Sequence, residues 1–188
     1  MNGVRVYCYK ESTNRGWIVI QRNAEGSVNF KRTWADYKAD FGNLIGEFWL
    51  GNEHIYQLTK DEPRELRIDM ETFDGEKRYA LYSQFSISSE SEKYKLHVAE
   101  YSGDAGEDLA RYHNGQSFST FDADNDAVVS SCCACTYGGG WWYLNCFSVN
   151  LNGKYFQRSD TVIWAQGIHW KSLTTFETSL KFVAMNIR

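Results

Sequence analysis

The sequence predicts an α+β domain: a twisted antiparallel sheet with short helices, followed by a loop-rich C-terminal region. Three observations lead there. Leu66 to Thr72 and Lys77 to Phe85 alternate apolar and polar residues around Asp74-Gly75, a hairpin pattern. Lys31 to Phe41 and the segment after Asn52 carry apolar residues at helical spacing. After Gly103 the periodicity fades until Leu180 to Ile187 resumes it.

Taken in order, Trp17 to Gln21 is apolar and β-branched, which reads as a buried strand. Trp34, Tyr37, Lys38 and Phe41 then mark a short amphipathic helix closed by Gly42. Phe48 to Leu50 reads as a strand, and Asn52 as the cap of a second helix bearing Ile55, Tyr56 and Leu58 on one face. The hairpin comes next. Tyr94 to Tyr101 continues the alternation, and Leu180 to Ile187 supplies a last strand. Together these make a single domain over 1–188, with sheet and helices in 1–105 and loops in 106–188.

With 188 residues, 43% of them hydrophobic and 23% charged, the chain is long and apolar enough for a substantial core. The net charge of -4, with lysines and arginines scattered, argues against a nucleic-acid surface. No apolar run approaches the roughly 20 residues that cross a bilayer, so membrane insertion is not expected. MNGVRVYCYK lacks the apolar core of a signal peptide. Clustered cysteines beside Asp-rich and Gly-rich loops nevertheless suit a secreted module, so the chain is expected to be a fragment. Five cysteines leave at least one without a partner in the chain.

Most of the chemistry lies between Phe118 and Tyr155. Asp122, Asp124 and Asp126 alternate like the opening of an EF-hand, but Ala127 stands where that loop needs Gly and Cys133 where it needs Glu. A different calcium loop and a solvated acidic turn both remain open. Cys133 and Cys146 bracket Gly138 to Asn145, and joining them would stabilise the fold by about 3 kcal/mol. A zinc site lacks paired C-x₂-C ligands. A catalytic cysteine lacks a motif linking it to any of the four histidines. No nucleophile–base pair stands out, so an enzyme is not expected. Trp141, Trp142 and Tyr143 suit a core, while the three glycines before them would let backbone approach closely, as a pocket wall does.

FSTFDADND, CACTYGGGWWYLNC, NLNGKY and GIHW, with GWIVIQRN, FGNLIGEFWLGNEHIYQLT, ELRIDMETFDGE and YKLHVAEYSGDAGEDL before them, closely resemble the fibrinogen-like C-terminal domain. Fibrinogen, ficolins, tachylectins, angiopoietins and tenascins share that module, and the tenascin-like members are particularly similar. The resemblance implies Ca²⁺ held by the side chains of Asp124 and Asp126 and the carbonyls of Val128 and Ser130. It implies a ligand pocket beside the ion, using Tyr137, a cis peptide at Asn145–Cys146, Phe147 and Trp170, stapled by Cys133 and Cys146. Four departures bear on this. Cys132 is an added residue between Asp126 and Cys133. Phe147 replaces a histidine frequent in lectin-like members. The loop from Tyr155 to Gln166 is short. Leu173 and Thr175 stand where the family has Trp and Gly.

Cys8 matches a family cysteine whose partner lies upstream. Cys132 and Cys135 are not family cysteines; they can pair with each other, with Cys8 or with another chain. The function expected is an extracellular, calcium-stabilised, non-catalytic module binding glycans or acetylated groups, lectin-like and of innate-immune type. The alternative is docking to a protein receptor or matrix partner, with oligomerisation through regions outside this chain.

Overall fold

The computed structural model describes residues 5–10 and 16–188. Its strands are β1 (Tyr7–Lys10), β2 (Gly16–Asn23), β3 (Phe41–Gly42), β4 (Phe48–Trp49), β5 (Arg64–Thr72), β6 (Lys77–Ile87), β7 (Leu96–Gly103), β8 (Val149–Asn150), β9 (His169–Trp170) and β10 (Leu180–Ile187). The helices are α1 (Trp34–Ala39), α2 (Asn52–Thr59), α3 (Asp108–His113) and α4 (Cys133–Tyr137). The main sheet runs β3-β4-β2-β10-β5-β6-β7, with β1 against β2, and every pairing is antiparallel. The last strand is therefore central: Val183 faces Asn23 on one side and Met70 on the other.

The hairpin forms where Asp74-Gly75 predicts it. Gly75 has φ +86°, and Thr72 closes the turn by accepting from the Gly75 N–H. Leu66, Ile68 and Met70 point into the core, as period-2 alternation requires. On β6 the alternation slips at Ser83 and Gln84, both exposed, because the register shifts between Arg64 and Leu66 of its partner. A bulge of this kind re-aims the side chains beyond it, and Phe85 and Ile87 return to the interior.

Two helix boundaries differ from the sequence reading. The first helix starts after Thr33, which forms a reciprocal capping box with Asp36, and it ends at Ala39. Phe41 and Gly42 pair with β4, and a Cβ at Gly42 would lie 2.2 Å from the Glu47 carbonyl. Asn52 is not a cap. The N-cap of α2 is Gly51, at φ +100°, packed so tightly that a Cβ would meet the Ala39 carbonyl at 1.9 Å. Asn52 is the first helical residue, and its Oδ1 accepts the Trp49 indole N–H. The strand expected from Tyr94 starts two residues later, because Lys93 and Tyr94 turn through positive φ.

One apolar cluster runs from β2 to β10 and includes Trp141, Trp142 and Tyr143, each fully buried. The C-terminal loops are thus part of the same core as the sheet. Buried amides join them: Gln21 Nε2 donates to the Leu151 carbonyl (3.0 Å), and Asn23 Nδ2 donates to that of Gly153 (3.1 Å).

Glu47 organises the loop after β2. Its Oε1 accepts the N–H groups of Ala24, Glu25 and Gly26 at 2.7–2.9 Å, while Oε2 accepts those of Val28 and the Ser27 hydroxyl. Burial pushes this carboxyl up, but the hydrogen bonds outweigh it and hold the group below the usual carboxylate value. A depressed native pKa means stability present at neutral pH and lost as pH falls through the acid range. Replacing Glu47 by Gln puts an NH₂ group against backbone N–H donors. We expect Glu47→Gln to cost about 2–4 kcal/mol in urea denaturation at pH 7, with the difference shrinking toward pH 4.

Candidate ligand-binding face

The segment from Cys133 to Val149 folds back on itself around one disulfide. Cys133 and Cys146 are bonded, with Cα atoms 5.5 Å apart, as the resemblance implies. The glycine run is needed for close contact. A Cβ at Gly139 would meet the Asn152 carbonyl at 2.1 Å, and one at Gly140 would touch the rings of Phe118 and Tyr37 at 2.7 Å. Gly138 and Gly139 also wall a cleft of about 440 Å³ whose other sides include Lys31, Tyr137, Lys154 and Gln166.

His113, at the end of α3, ties the two arms of this segment together. Its Nε2 accepts the N–H groups of Ser148 (3.2 Å) and Val149 (3.0 Å), which places the ring proton on Nδ1, facing the Trp142 carbonyl at 2.7 Å. Burial drives its pKa down from 6.5 to about 4, so the ring is neutral at pH 7.

The three alternating aspartates do different work. Asp122 Oδ1 accepts the Trp34 N–H (2.9 Å) and the Thr120 hydroxyl, fastening this loop to the start of α1. Asp126 Oδ1 accepts from Val128 N–H (2.7 Å), and its Oδ2 from Cys133 N–H (2.8 Å). Asp124 is exposed, and its Oδ1 accepts the Asp126 N–H at 3.2 Å. Burial and the neighbouring Asp124 charge together raise the pKa of Asp126 despite its backbone bonds. Two carboxylates held this close repel, and a cation between them would relieve that repulsion. The Val128 and Ser130 carbonyls accept no hydrogen bond among the described residues. The donors on offer are all oxygens, the set a hard divalent ion takes. Among the described residues, this loop included, no three His, Cys, Asp or Glu side chains converge to hold a metal ion, so a cation here would rely on the carboxylate pair and backbone carbonyls.

Beyond α4, the rings of Tyr137 and Phe147 meet edge to face at 5.2 Å. Trp164 packs on Phe176 at 4.8 Å and lies 6.4 Å from Tyr137; Phe176 in turn stacks on His169 at 5.0 Å. Trp164 is 57% exposed and Phe176 39%, with Ile163 beside them at 51%, whereas Phe147 is 9% exposed and forms the floor. Burial lowers His169 to about 4, and its Nδ1 lies 2.8 Å from the Thr174 hydroxyl, so the ring is neutral at pH 7. The Asn145–Cys146 peptide is cis, Asn145 is exposed, and its carbonyl accepts the Tyr112 hydroxyl.

Trp170 departs from the expected set. It is fully buried and donates its indole N–H to the Ala105 carbonyl at 2.8 Å, so it supports the core and offers a ligand no surface. The residues that do surround Tyr137 and Phe147 are His169, which lies in β9 within the GIHW motif, and Trp164 and Phe176, which sit in loops without periodicity. Only aromatic character in a region poor in regular structure marks Trp164 and Phe176 in the sequence.

The model for the C-terminal globular domain of fibrinogen beta and gamma chains matches residues 1–188. Human fibroleukin is 48% identical over 88% of this chain, and chicken tenascin-R is 45% identical over 98% of it. The matched regions make up 38% and 13% of those two proteins, so the chain corresponds to one part of longer relatives. Among solved structures, the fibrinogen-like globe of human ANGPTL6 superposes with a TM-score of 0.89 at 42% identity, covering 97% of this chain and 82% of that one. A lamprey fibrin D-dimer in complex with the peptide Gly-His-Arg-Pro-amide reaches 0.88 at 37% identity, covering 97% and 63%. The fold and the motifs thus define a fibrinogen-like recognition domain. This chain belongs to the fibrinogen C-terminal domain family.

The His113 geometry carries a pH dependence of known sign. The native pKa lies below the unfolded value, so the unfolded chain takes up a proton first, and stability is lost as pH falls from 6.5 to about 4. His113 alone accounts for about 3 kcal/mol over that window. Denaturant titrations at pH 7 and pH 4.5 should show His113→Gln less stable than the parent at pH 7 but with a flatter acid response. An equally steep loss in the variant would remove His113 as the cause.

Proposed function

We propose that this domain is an extracellular, non-catalytic recognition module that docks a peptide segment of a protein partner on the face formed by Tyr137, Phe147, Ile163, Trp164 and Phe176. The observation that carries this reading is the exposure of Trp164 and Phe176 over an aromatic floor. Exposed aromatics around a half-buried centre are what protein interfaces use as anchors. The same face supports glycan or acetyl recognition less well. Its rings offer few polar groups, Phe147 has no hydrogen-bonding atom, and the His169 Nδ1 is already engaged with Thr174. A peptide ligand is present in the related lamprey fibrin structure, which favours peptide docking as the family-level expectation. Two disulfides among the described residues suit an oxidising, extracellular setting.

In this reading Asp124 and Asp126, with the carbonyls of Val128 and Ser130, hold Ca²⁺. The ion neutralises the carboxylate pair and fixes the loop leading into α4 and Tyr137. Asp126 positions Cys133 at the same time through Oδ2.

Peptide-display selection against the domain tests the docking surface. Selected peptides should lose at least about tenfold in affinity on Trp164→Ala or Phe176→Ala, as aromatic anchors do. Failure to enrich any peptide, together with retention on N-acetylglucosamine resin released by free acetate, would overturn the reading. For the ion, a site with Kd near 10⁻⁴ M should add roughly 2 kcal/mol at 2 mM free Ca²⁺. That corresponds to a rise in Tm of about 4–7 °C. Asp124→Ala should abolish the rise and leave the melt in EDTA nearly unchanged; the same rise in the variant would remove the site from this loop.

A further inference from the structure

The stretch Cys132–Cys135 holds a second disulfide that closes a ring of four residues around the first turn of α4. Its two sulfurs differ in surroundings. Cys135 is exposed and lines the cleft beside Lys31, whose Nζ donates to the Cys135 carbonyl at 3.1 Å. Cys132 is half-buried, and its Sγ accepts the backbone N–H of Cys135 at 3.0 Å. The adjacent Cys133 is fully buried.

We propose that Cys132–Cys135 is a thiol–disulfide exchange site for dithiol reductants, selective over the neighbouring Cys133–Cys146 bridge. Exchange requires a thiolate to reach one sulfur and the other to leave as a stable thiolate. Exposure makes Cys135 Sγ the point of attack. The Cys135 N–H, already directed at Cys132 Sγ, stabilises the thiolate expelled there. A thiolate of the reductant bonds to Cys135 Sγ, the Cys132–Cys135 bond breaks, and its electron pair stays on Cys132. The reductant's second thiolate then attacks its own sulfur in the mixed disulfide and releases the Cys135 thiolate. Both protein thiolates take up protons, and the reductant, having given two electrons, ends as a disulfide. The new Cys135 thiol has an acceptor in place, the Phe121 carbonyl at 3.5 Å.

The core bridge survives because the exchange leaves the Cys133–Cys146 loop closed and the packing around Trp141 to Tyr143 untouched. The segment that gains freedom is the one between Asp126 and Tyr137. This proposal rests on the bridge and its surroundings, independently of which ligand the aromatic face binds.

The test is limited reduction of the folded protein with dithiothreitol, timed quenching with iodoacetamide, and peptide mass spectrometry. Cys8, free and exposed, reports alkylation without reductant. Cys132 and Cys135 should become alkylated at least about tenfold faster than Cys133 and Cys146, while circular dichroism retains the native spectrum. Simultaneous opening of both bridges, or opening only after denaturant is added, would overturn the proposal.

Discussion

The imidazole of His113 is the contact on which the irregular half of this domain depends. It joins the Trp142 carbonyl to the N–H groups of Ser148 and Val149, on either side of the disulfide at Cys146. A loop segment cannot satisfy its backbone through a sheet ladder, so buried side chains must do it. Gln21, Asn23, Glu47 and Asp126 act in the same way elsewhere. Each anchors backbone that has no strand partner. The aromatic face is the outward consequence, because Phe147 lies one residue from the amides that His113 holds.

This arrangement explains how one sheet can carry a long, non-repetitive surface. β10 lies between β2 and β5, so the chain's last strand and its early strands are fixed together. The segment from Asp108 to Ser179 is held against that frame at both ends. Specific side chains are then presented on loops whose scaffold is rigid, the usual division of labour in recognition domains.

The sheet was legible in the sequence because burying one face of a strand writes a period of two. Leu66, Ile68 and Met70 show it directly. Helix edges were less legible where tertiary contact decided them: Gly51 caps α2 because backbone from Ala39 fills the space a side chain would need, and nothing local in Asn52 reveals that. The Cys133–Cys146 disulfide and the cis peptide stand where the family resemblance puts them. Trp164 and Phe176 did not emerge, since a loop residue's exposure is set by distant packing. Trp170 was misplaced for the same reason: its match to a motif said nothing of the Ala105 carbonyl that holds it inside. Helices α3 and α4 are too short for a periodic signal to rise above the surrounding loops.

The most direct measurement of the central claim is native-state hydrogen exchange at the Ser148 and Val149 amides. If His113 locks the loops to the core, both amides exchange only through global unfolding, with the same free energy as the amides of β5 and β10. Exchange through local openings well below that free energy would mean the irregular half is held by something other than this buried ring.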